Sequence, residues 1–151
     1  MHRRVRHCDV IWLAATDRGR GLLSVVPAYE IGRLNALAGI GSALHKKHGV
    51  YVQHVGIVTV PENYENRLIP IFPGAYRKLR LAGLEAHDLA LSKLERNSGR
   101  DREDVKFLAR AVPLDLTVME DRYGSELRPY LVSAERHDLT MRLWVEMLQA
   151  L

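Results

Sequence analysis

A chain of 151 residues with 47% apolar side chains is long enough for one compact domain of two packed layers, and too apolar to be read as disordered. The single cysteine, Cys8, excludes an internal disulfide framework, and no Cys-x-x-Cys pair or His/Cys group at zinc spacing occurs, so a reducing, cytoplasmic location is expected. The net charge of +4 suits a polyanionic ligand; no run approaches the roughly 20 apolar residues that span a membrane, and no membrane partner is expected.

Arg3, Arg4 and Arg6 open the chain like a leader, but Val10 to Ala15 is too short an apolar run for one, and Asp17 and Arg18 follow at once. These arginines are expected to lie on an exposed, frayed terminus, with RNA contact as the alternative. Val10-Ile11-Trp12-Leu13-Ala14 reads as a buried strand closed by the turn-forming Asp17-Arg18-Gly19-Arg20-Gly21. A strand so apolar normally sits between two neighbours; this close to the N-terminus, one neighbour is expected to be missing or supplied by a partner. From Pro27 onward, Ile31, Leu34, Leu37, Ala38 and Leu44 recur at helical spacing up to Gly49, which predicts one helix over 27–48.

Residues 50–60 and 67–72 are rich in β-branched and aromatic side chains and predict two strands, with Lys78 to Leu81 as a half-exposed third. Leu84, Leu89, Leu91 and Leu94 predict a helix over about 85–96, broken at Asn97-Ser98-Gly99. Val105, Leu108 and Ala109 carry the next, restarting near Asp101 and ending at Pro113, and two more follow over 117–131 and 133–151. In the last helix, Leu139, Leu143, Trp144, Met147 and Leu151 form an apolar stripe expected to face the core. The order predicts an α+β domain: a core of strands and helix over 1–83 and a helical part over 84–151, packed as one unit.

Charge of both signs gathers at one helix-helix corner. Lys93 and Arg96 lie three residues apart, Arg100 and Asp104 four apart, and Asp101 and Asp104 three apart. Such cations could hold a triphosphate or phosphodiester, and Asp101 could orient Lys93 or Arg96 or reach a metal-bound water. The plainer alternative is a solvated corner in which Asp101 caps a helix and Arg100 pairs with Asp104, an interaction of about 0.3–0.5 kcal/mol.

Arg67-Leu68-Ile69-Pro70-Ile71, the helix Asp88-Leu89 through Lys93-Leu94 to Arg96, and the helix start Arg100-Asp101 through Asp104-Val105 resemble the latter half of predicted bacterial nucleotidyltransferases of unknown function. These are similar to the nucleotidyltransferase toxins of abortive-infection toxin-antitoxin systems. Arg122-Tyr123, Glu126-Leu127 and Arg136 to Trp144 resemble the family's helical tail. The resemblance covers residues 50–148, and the whole chain more loosely, and implies a nucleotidyltransferase-like fold with a mixed sheet in an incomplete α/β core over 1–83. The implied chemistry is transfer of a nucleoside monophosphate from a nucleoside triphosphate, with magnesium, to an RNA or protein acceptor. It implies catalytic roles for Asp9, Lys93 and Asp101, phosphate contacts from Lys93, Arg96 and Arg100, and a metal-holding role for Asp9, with Asp104 structural.

The same resemblance exposes what the chain lacks. Such enzymes use a Gly-Ser turn followed by an Asp-x-Asp strand whose carboxylates hold magnesium. Here Asp9 can be the second carboxylate, but His7 stands where the first belongs, and the turn would fall before Met1. Gly39-Ile40-Gly41-Ser42 imitates that turn, but it is read as helix interior and no Asp-x-Asp follows, so it is rejected as a nucleotide loop. A third carboxylate is missing from the later strands, where only Glu62 and Glu65 are near. His7, Cys8 and Asp9 do not make a metal site of their own, because Cys8 points to the opposite face of a strand. The expectation is an N-terminally shortened or degenerate member, catalytically incomplete. The alternative is a non-catalytic nucleotide- or partner-binding protein that docks an antitoxin or a second copy through its first strand or last helix.

Overall fold

The computed structural model describes residues 9–15, 21–26, 31–55, 59–71, 73–74 and 81–151. It is α+β, and by its internal contacts the chain divides into two compact units, Met1–Ile57 with Ile69–Gly83, and Val58–Leu68 with Leu84–Leu151.

In the first unit, strand β1 (Asp9–Ala15) is central. It pairs antiparallel with β2 (Gly21–Val26), Trp12 opposite Leu23, and with β3 (Val50–Val55), Leu13 opposite Val52. A second, two-stranded antiparallel sheet joins β4 (Ile69–Ile71) to β5 (Leu81–Gly83). Two expectations are corrected here. Every described pairing is antiparallel, so the sheet is not mixed. Both neighbours of β1 come from this chain, and β2 was not foreseen. Of the expected third strand, Leu81 lies in β5 and residues 78–80 lie outside the described set.

The single helix expected over 27–48 is two, α1 (Ile31–Ala38) and α2 (Ala43–His48). Two glycines break it. At Gly39 the chain passes so close to α1 that a Cβ would lie 2.4 Å from the Asn35 carbonyl oxygen, and Gly41 has φ +83°. Ser42 then caps α2, its hydroxyl accepting from the His45 N–H at 3.1 Å, and Gly49 ends α2 in the left-handed conformation at φ +68°. Gly39 to Ser42 is therefore a helix-helix turn and not a helix interior.

The second unit is helical: α3 (Ala86–Leu91), α4 (Gly99–Ala111), α5 (Leu116–Arg122) and α6 (Ala134–Gln149). Between α5 and α6 the chain makes a π-helical turn, Tyr123–Leu127, and a 3-10 turn, Arg128–Tyr130, where Pro129 cannot continue the hydrogen-bond ladder. The core combines Leu91 and Leu94 with Val105, Met119, Tyr123, Leu127, Met141 and Trp144. The apolar stripe foreseen on the last helix is only partly inward. Trp144 is buried, whereas Leu139 and Leu143 are 52% and 54% exposed, because His137, Thr140, Met141 and Trp144 hold the buried face. Among the described residues no helix is long and apolar enough to cross a membrane.

Candidate functional site

The charged corner is built by the way α3 ends. After Leu91 the N–H groups of Lys93 and Leu94 donate three residues back, to Ala90 and Leu91, and tighten the last turn. Asn97, at φ +43°, reverses the chain, and Ser98 caps α4. Lys93 and Arg96 thus lie in a turn and not on the expected helix, and α4 starts at Gly99, before Asp101.

Four of the residues singled out from sequence meet here. The Asp101 carboxylate, 0% exposed, accepts from Arg96 Nε at 2.8 Å and from Arg96 Nη2 in a two-pronged contact, and from the Ser98 N–H at 2.9 Å and hydroxyl at 2.6 Å. The Ser98 hydroxyl accepts in turn from the Asp101 N–H, completing a capping box. Burial pushes the Asp101 carboxyl up, but the hydrogen bonds from Arg96 and Ser98 outweigh it and hold the group well below the usual range. Lys93, 7% exposed along its side chain, places Nζ 2.8 Å from Asp104 Oδ2 and 3.9 Å from Asp101 Oδ1. Asp104 therefore pairs with Lys93 and not with Arg100, which is exposed and makes no hydrogen bond or ion pair among the described residues. Arg96 keeps 67% of its side chain exposed while its fork grips Asp101.

Asp9 begins β1, opposite Val26, and its side chain is outside what the structure describes, as are His7 and Cys8. Glu62 and Glu65 are exposed in the turn before the 3-10 segment Tyr64–Arg67 and within it.

A second ionic cluster was not foreseen. Asp88, on α3, is 0% exposed and accepts from Arg67 Nε at 2.8 Å and Nη2 at 3.1 Å, and from Arg122 Nη1 at 3.0 Å. Arg67 also donates to both oxygens of Glu126, at 2.7 and 3.1 Å, and Arg122 to Glu85. The hydrogen bonds to Asp88 and Glu126 raise the Arg67 guanidinium further above its already high range. Glu85 is pushed up by burial but lowered on balance by His87 and Arg122; Glu126 is lowered chiefly by Arg67. The sequence did carry a signal for this cluster: Asp88 occupies the face of Leu84 and Leu91, at i+4 and i+7 from Leu84, where an unpaired charge would be too costly to bury.

Magnesium needs carboxylate oxygens that converge and are otherwise vacant. Among the described residues no group of three His, Cys, Asp or Glu side chains could hold a metal, and the buried carboxylates Asp88 and Asp101 are each saturated by arginine. The described residues do not fit a magnesium site.

A family model described as a nucleotidyltransferase of unknown function (DUF6036) matches residues 6–150. No curated protein and no solved structure matches the chain.

Proposed function

The chain belongs to the DUF6036 family of nucleotidyltransferases of unknown function, and from that premise we propose that it binds a nucleoside triphosphate at the corner of Arg96 and Arg100 but lacks a complete metal-holding set. Transfer of a nucleoside monophosphate to an RNA or protein acceptor is then residual at most. The observation carrying this reading is the internal pairing of the motif's own charges: Asp101 is consumed by Arg96 and Ser98, and Asp104 by Lys93. What remains open to a ligand is the exposed flank of Arg96, fixed by its grip on Asp101, and the exposed Arg100 on the first turn of α4. A pre-set guanidinium is well suited to phosphate, and the helix N-terminus adds a favourable field. Lys93, turned inward onto Asp104, supports the corner instead of touching phosphate.

The test is binding of labelled nucleoside triphosphates with magnesium and with EDTA, beside a transfer assay on RNA and protein. Binding is expected in both media, and Arg96→Ala with Arg100→Ala should weaken it by roughly tenfold or more, the scale of one charge-assisted hydrogen bond. No binding by the native chain sinks the reading. Magnesium-dependent labelling of an acceptor, lost in Asp9→Ala, would overturn the incompleteness.

A second reading, a partner-binding protein, draws on Leu139 and Leu143, four residues apart and exposed on α6. Docking through the first strand is not part of it, since both edges of β1 are paired within the chain. Leu143→Asp should abolish co-elution with a partner encoded beside this chain, or dissociate a dimer, and leave nucleotide binding unchanged.

A further inference from the structure

His87 is held between two groups that fix its proton. Its Nδ1 lies 2.6 Å from Glu85 Oε1, and its Nε2 lies 2.9 Å from the backbone nitrogen of Asp115. A backbone N–H can only donate, so Nε2 must be bare and Nδ1 must carry the hydrogen that points at Glu85. Asp115 is the residue at which the chain, having left α4, enters α5; its own carboxylate accepts from the N–H groups of Thr117 and Val118 and caps that helix. The neutral imidazole therefore latches the α4–α5 connection to the start of α3.

We propose that His87 is an acid-operated latch: a second proton, on Nε2, turns the acceptor for the Asp115 N–H into a donor, and the connection over residues 112–115 lets go of α3. Glu85, which holds Nδ1, belongs to a network of charged side chains drawn from several elements. Glu85 and Asp88 come from the start of α3, Arg122 and the Asp115 carboxylate from α5, Arg67 from the 3-10 segment and Glu126 from the π-helical turn. On the α4 side, Asp101 and Asp104 are taken up by Arg96 and Lys93. A proton on Nε2 thus dissolves the one hydrogen bond that needs the ring neutral.

The experiment follows the Asp115 amide and the His87 ring by NMR through a titration of the full chain from pH 8 to pH 5, with amide exchange compared between variants at each pH. The Asp115 amide is expected to shift with the midpoint of the His87 ring and to lose protection by roughly tenfold, the effect of one lost hydrogen bond. His87→Gln offers an oxygen to the same N–H and does not titrate, so its Asp115 amide should stay still and protected across the range. His87→Ala should show the unlatched amide at every pH. An Asp115 amide that ignores the His87 midpoint, or one that titrates equally in His87→Gln, overturns the proposal. If the alanine variant does not fold, the comparison of native chain with glutamine still decides.

Discussion

Asp88 is tolerated at 0% exposure because two guanidinium groups reach it from different segments. Arg67→Ala leaves it with Arg122 alone and leaves Glu126 with the Asn63 N–H but no cation; urea unfolding should show a loss of about 3 kcal/mol. Arg67→Lys should recover less than half of that, because an ammonium cannot fork across two carboxylates. Asn97 offers a cleaner separation of terms. Its side chain accepts from Trp144 Nε1 at 3.1 Å while its backbone is left-handed. Asn97→Gly loses the first and relieves the second, whereas Asn97→Ala loses the first and worsens the second. Alanine should be the less stable by about 1 kcal/mol in chemical denaturation, and equal stabilities would mean that the left-handed turn carries no cost.

The titratable residues also fix the response to pH. Glu85, Asp101, Glu126 and Asp138 all hold their protons less tightly when folded, Asp138 falling to about 2 through its bonds from Arg128 and Tyr123. A carboxyl lowered by folding stabilises fully above its unfolded pKa, near 4, and loses that contribution as the pH falls through the folded value. Melting temperature should therefore decline steadily from about pH 4 toward pH 2. Tyr123 moves the other way, raised by burial and by the Asp138 carboxylate, so a second loss of stability should set in above about pH 10. A flat acid limb in thermal melts would contradict the ion pairs described.

At the scale of elements, the turn between α3 and α4 depends on one serine. Ser98→Ala removes the cap and half the capping box, and thermal unfolding should show a loss of about 1 kcal/mol. Periodicity foresaw the helices of the second unit but misplaced their edges, for local reasons. Lys93 and Arg96 continue a helical pattern in sequence, but the N–H groups of Lys93 and Leu94 bond three residues back and the pattern does not show it. The turn at Gly39 to Ser42 hides in the same way, since Leu37, Ile40 and Leu44 keep helical spacing across a break set by a steric approach at Gly39. Strand β2, Gly-Leu-Leu-Ser-Val-Val, alternates too poorly to stand out, and its pairing with β1 supplies what its pattern lacks. On α6 the apolar residues outnumber the places on the buried face, and the polar His137 and Thr140 occupy two of them, which no hydropathy pattern would assign.

At the scale of the molecule, the charged residues of the corner were visible as types and spacings, but their partners were not. Which cation meets which carboxylate follows from the turn at Asn97, a tertiary fact. The segment 58–68 shows the same limit. It lies between strands in sequence, yet it belongs to the helical unit, where Thr59 donates to Glu95 at 2.5 Å and Arg67 grips Asp88. A fragment of residues 84–151 would retain every α-helix of that unit but lose the 3-10 segment with Arg67 and the buried Pro61 and Tyr64. It should melt well below the full chain when followed by circular dichroism at 222 nm, and adding Arg122→Ala should prevent its folding altogether.

The placement of 58–68 also orders events on the ribosome. Everything the first unit needs has emerged once residue 83 is free, so that unit can close while the helices are still being made. The eleven residues left out of it, 58–68, are synthesised early but belong to the late unit. Arg67 must wait for Asp88 and then for Glu126, nearly sixty residues later, before its charge is fully matched. During that interval Tyr64 and Pro61, buried in the finished unit, have no helices to be buried among.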